Sequence, residues 1–217
     1  KEGEIKDLRL EDVSIDVNAE VGVASFVSWN FGVLKNCSCD GFVQAYYPAG
    51  GLVGHNSGEI LSCKNSATVA AVGSVGGIAN YNYNLIADCV NEGTLSSGNG
   101  CGGICNLLGN GEIRNSINKG SVSGKSTSGG VVALCTGSET AILNSCNVAN
   151  VTVPSGISSF ALSGFEGNGV DCSILNCYSS ISQPLYSTDD NYDGNVKAQY
   201  IYFPSSNTTD KESNEDY

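Results

Sequence analysis

The sequence predicts an all-β chain folded as a single-stranded right-handed parallel β-helix, a β-solenoid of about 26-residue coils. Three observations predict it. A glycine-led segment recurs at Gly50, Gly76, Gly102 and Gly129, in steps of 26, 26 and 27 residues. The copies keep the same residue class at the same place. Between those places lie short β-branched runs closed by Gly, Asn or Ser, which read as strands and turns. Self-similarity at such a period marks a repeat architecture. A helical solenoid would need apolar residues at helical spacing over about ten positions or more, and the Gly and Asn density opposes it. The hand follows from the general rule for parallel crossovers.

Alignment of the copies produces columns. One aliphatic column is Phe26, Leu52, Ile78, Ile104, Val131 and Phe160. A second is Leu34, Ile60, Ile86, Ile113, Ile142 and Ile174. Three residues later stand Cys37, Cys63, Cys89, Ser116, Ser145 and Cys177, and two residues further on Cys39, Asn65, Asn91, Asn118 and Asn147. A fourth apolar column is Val43, Val69, Leu95, Val122 and Val151. Coils stack about 4.8 Å apart, so equivalent side chains meet and must stay alike in size. Roughly three strands per coil fit this pattern. Gly reads as the marker of coil turns, and the Asn column as either a left-handed turn or an amide ladder between coils.

The chain divides into a capping segment over 1–21, repeats over 22–180, a C-terminal cap over 181–204 and an acidic tail or linker over 205–217. Charge follows the same division. Residues 1–21 hold 7 acids and 3 bases, residues 22–188 hold 8 and 5, and residues 189–217 hold 7 and 2. The net charge of −12 therefore belongs mostly to the ends, while the body carries Ser, Thr and Asn as its polar surface. The acidic balance excludes a nucleic-acid binder with a basic face. The chain lacks a long apolar run for membrane insertion, and 41% apolar residues oppose disorder. The opening Gly3-Glu4-Ile5-Lys6-Asp7-Leu8 looks like the second half of a capping copy. A chain without Met reads as a processed product or an excised fragment.

Gly51-Leu52-Val53-Gly54 followed by Asn56, Gly58 and Ile60 resembles the GLUG repeat family. So does the frame Ile-x-Asn/Asp-Cys/Ser-x-Asn-x-Gly-x-Val/Leu, carried best by Ile86 to Leu95 and by Ile113 to Val122. The resemblance covers about residues 22–180. It implies a β-helical region of a large secreted or surface-attached bacterial protein, extracellular or on the cell surface, with an adhesin-like binding or stalk role. An accessory domain of a secreted immunoglobulin-A-type metallopeptidase is the alternative it implies. Host proteins or glycans are the partners expected of such a module. The repeat itself carries no catalytic residue to transfer. Two copies depart from the frame: Ala24-Ser25 stands for the glycine pair in the first, and the last is irregular around Ser158-Ser159.

The ten cysteines invite a disulfide reading. Stacked Cβ atoms about 4.8 Å apart exceed what a disulfide spans, and the change to Ser116 and Ser145 marks a small-residue slot, so this column reads as free, buried thiols. A Cys172–Cys177 pairing has no particular support. His55, the single histidine, reads as an exposed turn residue in Gly54-His55-Asn56-Ser57. Glu59 and Glu112 align just before the aliphatic column, which would suit a carbohydrate-active β-helix enzyme, but the copy between them has Leu85 there. Asp189, Asn191 and Asp193 have the spacing of a calcium loop, whose twelfth position is Tyr200 rather than an acid; calcium is the one cofactor candidate. Trp29, Tyr81 and Tyr83, with Phe31, Tyr46 and Tyr47, crowd the turns, and Trp29, Tyr81 and Tyr83 are the candidate binding surface for sugar or protein.

Overall fold

A computed structural model describes residues 3–18, 22–165, 171–180, 186–187 and 196–199. These residues form a parallel β-solenoid of about six turns, with coils roughly 27 residues apart and no helix. The calcium-loop candidate Asp189, Asn191 and Asp193, most of the segment assigned as the C-terminal cap and the whole acidic tail lie outside the described residues.

Each coil is built from strands shorter than the three per coil that the repeat suggests. In the coil that begins at Val53 they are Val53–Asn56, Glu59–Leu61, Lys64–Asn65, Thr68–Ala71 and Val75–Gly76. Their equivalents stack, always parallel, into four sheets among the described residues. We call these S1 (through Val53–Asn56, seven strands), S2 (through Glu59–Leu61, eight), S3 (through Lys64–Asn65 and Thr68–Ala71, eleven) and S4 (through Val75–Gly76, five). S3 counts as one sheet because Ser38–Ala45 runs unbroken where later coils have two strands. Inward and outward residues alternate along each strand, so the apolar columns enter the interior.

The second aliphatic column is in register from coil to coil. Leu34, Ile60, Ile86, Ile113, Ile142 and Ile174 stand opposite one another and are fully buried. Ile5 continues the column upward, opposite Leu34. Val43, Val69, Leu95, Val122 and Val151 line the S3 side in the same way. In the first column the structure corrects the last member. Val131 donates its N–H to the Leu162 carbonyl, whereas Phe160 stands opposite Gly129. Phe160-Ala161 thus occupies the place of the glycine pair. The ring of Phe160 is accommodated because Gly164, opposite Leu134, has no side chain: a Cβ there would lie 2.7 Å from the Phe160 Cε2.

The glycine pairs do mark a coil turn, with Gly51, Gly77, Gly103 and Gly130 in the bend between S4 and S1, but without a left-handed backbone. Among the described residues, the positive-φ glycines are Gly41 and Gly156. The left-handed turn positions are held instead by Asp7, Asn36, Ser62, Asp88, Asn115, Asn144 and Asn176, with φ of 49–57°. Asn and Asp tolerate that conformation best among residues with a side chain. The glycine pair serves close approach: a Cβ on Gly77 would fall 2.6 Å from the amide carbon of Asn91 and into the Gly103 carbonyl.

That amide belongs to a buried ladder. Asn65 donates to Asn91 at 2.9 Å, Asn91 to Asn118 at 2.8 Å and Asn118 to Asn147 at 2.8 Å. The Cys39 thiol donates to the side-chain Oδ1 of Asn65 at the first rung. Of the two readings open for this column, the amide ladder is realised, and none of its four asparagines has positive φ. The adjacent small-residue slot is a second ladder. The Cys37 N–H donates to the Cys63 sulfur, the Cys63 N–H to the Cys89 sulfur, the Cys89 N–H to the Ser116 oxygen and the Ser116 N–H to the Ser145 oxygen. Each of these side chains, from Cys37 to Ser145, donates in turn to the carbonyl two residues before it, at 2.8–3.2 Å. Thiol and hydroxyl are interchangeable there because both donate and accept.

Candidate functional site

The outward positions of S1 hold the aromatic candidates. Strand alternation turns Asn30, Asn56 and Asn82 inward and the residue before each outward. Register then places Trp29 opposite His55, His55 opposite Tyr81, Tyr81 opposite Leu107 and Leu107 opposite Leu134. The rings stack. Trp29 and His55 are 4.0 Å apart between centroids and inclined by 6°; His55 and Tyr81 are 4.5 Å apart and inclined by 27°. These separations lie close to the coil spacing of about 4.8 Å, so the solenoid itself sets the stack.

His55 is therefore not the exposed turn residue that its Gly-Asn-rich surroundings suggest. It lies in the strand Val53–Asn56, half-buried between two rings, and burial lowers its pKa below the usual 6.5. The glycine and asparagine around it hide that role, because Gly54-His55-Asn56-Ser57 resembles a turn. The 26-residue interval of 29, 55 and 81 is the signal that would have found it.

The other aromatics fall elsewhere. Phe31 lies beside Trp29 at 6.2 Å with planes 11° apart, and the two are 61% and 50% exposed, giving a flat surface at the S1 edge. Tyr83 belongs to the row of Phe31 rather than that of Tyr81. Its ring lies over Gly109 of the next coil, where a Cβ would be 2.9 Å from the Tyr83 Cε1, and burial raises its phenol pKa. Tyr46 and Tyr47 meet edge to face at 5.4 Å, just beyond the strand Ser38–Ala45 of S3, apart from this row. The stacked rings turn their faces to each other and their edges outward. The surface thus offers the edges of His55 and Tyr81 together with the Trp29–Phe31 pair.

The acidic candidates do not converge. Glu59 and Glu112 both stand opposite Leu85, two coils apart and hence separated by about 10 Å along the stack. Glu112 is paired with Arg114 at 3.2 Å. Glu92 lies between Lys64 (2.6 Å) and Lys119 (3.5 Å), and both hold its carboxyl below the usual range. Among the described residues, no group of three or more His, Cys, Asp or Glu is placed to hold a metal ion. The described cysteines are free. Burial pushes the thiol of Cys101 up to about 12 and that of Cys177 up to about 11, well away from thiolate chemistry near neutrality.

A second amide ladder lies behind the aromatic row, marked in the sequence only by the 26-residue spacing of Asn30, Asn56 and Asn82. Asn30 donates to Asn56 at 2.7 Å and Asn56 to Asn82 at 2.7 Å. The row of rings and the amides that anchor its strands thus begin in the same three coils. No helix of the described residues is long and apolar enough to cross a membrane. No protein-family model, no curated protein and no solved structure matches this chain.

Proposed function

We propose that the chain is a non-catalytic β-helix module of a secreted or cell-surface bacterial protein, working as a rigid stalk or adhesin-like binding region. The observation that carries this reading is the pair of buried ladders, thiol or hydroxyl on amide N–H from Cys37 to Ser145 and amide on amide from Asn65 to Asn147, each repeated from coil to coil. Interior polar groups satisfied by the coils above and below, as in these ladders, make a stack resist bending and local unfolding, although the buried Asn80 Nδ2 finds no partner. That is the property a spacer or presenting scaffold needs. The bacterial and extracellular setting rests on the resemblance of the repeat to GLUG sequences. The row Trp29–His55–Tyr81, with Phe31 and Tyr83 beside it, is the surface such a module would present to a host protein or glycan.

The test has two arms. The chain is applied to arrays of glycans and host matrix proteins, with Trp29→Ala and Phe31→Ala variants alongside. Binding that both variants weaken supports recognition through the S1 face, and no binding leaves the stalk role. Incubation with candidate polysaccharides is expected to yield no new reducing or unsaturated ends. Such ends, if formed, would overturn the non-catalytic reading.

A further inference from the structure

Two buried cysteines, Cys135 and Cys172, meet each other in a way that most of the others do not. Cys37, Cys63, Cys89, Cys105 and Cys177 each donate to a peptide carbonyl two residues away in their own chain segment, at 3.1–3.3 Å. Their sulfurs are held by backbone that the coil cannot move. The sulfur of Cys172 instead meets the sulfur of Cys135 at 3.9 Å. The second partner of Cys135 is the Ser163 hydroxyl at 3.3 Å, again a side chain.

The two residues do not share a column. Cys135 ends the strand Val132–Cys135 of S1, opposite Leu108. Cys172 begins the strand Cys172–Leu175 of S2 in the following coil, opposite Thr140. The coil spacing that keeps directly stacked cysteines apart therefore does not apply to this pair, which faces across the corner between two sheets. The pair also lies where the solenoid is least regular, because pairing of Val132–Cys135 with Ser163–Phe165 includes a register shift.

We propose that Cys135 and Cys172 form a covalent cross-linking site, which a small-molecule disulfide such as oxidised glutathione closes into an intramolecular bond tying one coil to the next. In the first step the Cys172 thiolate attacks the small disulfide, forms a mixed disulfide and expels one glutathione thiolate. In the second, Cys135 loses its proton, attacks the Cys172 sulfur and expels the second glutathione. The two thiol protons end on the two glutathione molecules, and two electrons pass from the protein to the reagent. The 3.9 Å approach of the two sulfurs places Cys135 within reach of a mixed disulfide formed on Cys172. Both sulfurs are buried, so closure is slow in the folded chain and faster during refolding.

The experiment oxidises the whole chain with oxidised glutathione, once when folded and once during refolding from denaturant. The linkage is read by peptide mapping without reduction. The expected product has lost about 2 Da and yields a Cys135–Cys172 linked peptide, with its melting temperature raised by roughly 5–10 °C over the reduced chain. Cys177→Ser should keep both the linked peptide and the shift, and Cys172→Ser should lose both. Absence of the linked peptide under both regimes would overturn the proposal. So would a Cys172–Cys177 link in its place, or an unchanged melting shift in Cys172→Ser.

Discussion

The Asn65–Asn147 ladder and the Asn30–Asn82 ladder occupy two corners of the same coil, yet only the first runs through the later coils. On the S3 side four asparagines follow one another and end at Ser179, which stands opposite Asn147. On the S1 side the run stops after three. Leu108 stands opposite Asn82, and Cys135 opposite Leu108. Asn82 closes its ladder by donating to the carbonyls of Asn84 (3.1 Å) and Glu112 (3.3 Å). Asn56, in mid-ladder, reaches the corresponding carbonyls of Gly58 and Leu85 and the next asparagine as well. A buried amide slot can thus change to an apolar one between coils, provided the last amide finds backbone acceptors. A single apolar residue inside a run has no such remedy. The difference between an interior rung and a terminal rung is one of orphaned partners.

The largest effect should come from breaking the long ladder in its middle. Asn91 accepts from Asn65 and from the Gly93 N–H, and donates to Asn118 and to the Gly93 carbonyl. Asn91→Leu should cost about 3–5 kcal/mol in urea unfolding, because several buried groups lose a partner at once. Gly77→Ala attacks the same rung from the opposite side, since its Cβ would displace the Asn91 amide. A loss of about 2–3 kcal/mol is expected, read as a lower urea midpoint at unchanged slope. Asn82→Leu tests the terminal rung and should cost about 2 kcal/mol, since Asn56 keeps two carbonyl acceptors. If Asn82→Leu and Asn91→Leu cost the same, the distinction between terminal and interior rungs fails.

Two smaller effects sharpen the contrast between required and interchangeable groups. Cys63→Ser should change stability by less than about 1 kcal/mol, because Ser116 and Ser145 already make the same bonds in that column. A larger calorimetric loss would mean that sulfur volume, not the hydrogen bond, holds the slot. The smallest effect concerns His55. Its folded pKa lies below the unfolded value near 6.5, so the unfolded chain binds more protons between the two. Its contribution is full above about pH 6.5 and is lost as the pH falls through the folded value. His55→Phe should flatten the stability profile in that window. An equally steep fall in the variant would assign the pH dependence elsewhere.

Much of this was legible from the repeat. The columns led by Leu34, Val43 and Cys37 are present in the structure as read, because each coil repeats one local pattern and stacking joins like to like. The register of the last coil was not legible. Phe160 is the large residue nearest the expected slot, and only the pairing of Gly129 with Phe160 and of Val131 with Leu162 shows that the slot belongs to Leu162. The aromatic row was half legible, since Trp29 and Tyr81 stand out by type while His55, which joins them, resembles a turn residue.

Taken alone, the sequence determined the period, the strand-and-turn composition, the inward columns and the concentration of net charge at the ends. These are one-dimensional properties: a side chain's class and its distance from the next copy decide them. The tertiary structure decided what the repeated residues do. It made the glycine pairs sites of close approach beneath the asparagine amides, and gave the left-handed corners to Asn, Asp and Ser. It also brought Cys135 to Cys172 across a corner that no sequence interval marks. Such roles depend on which atoms meet between coils and between sheets, and that distance exists only after the chain has closed each turn upon the last.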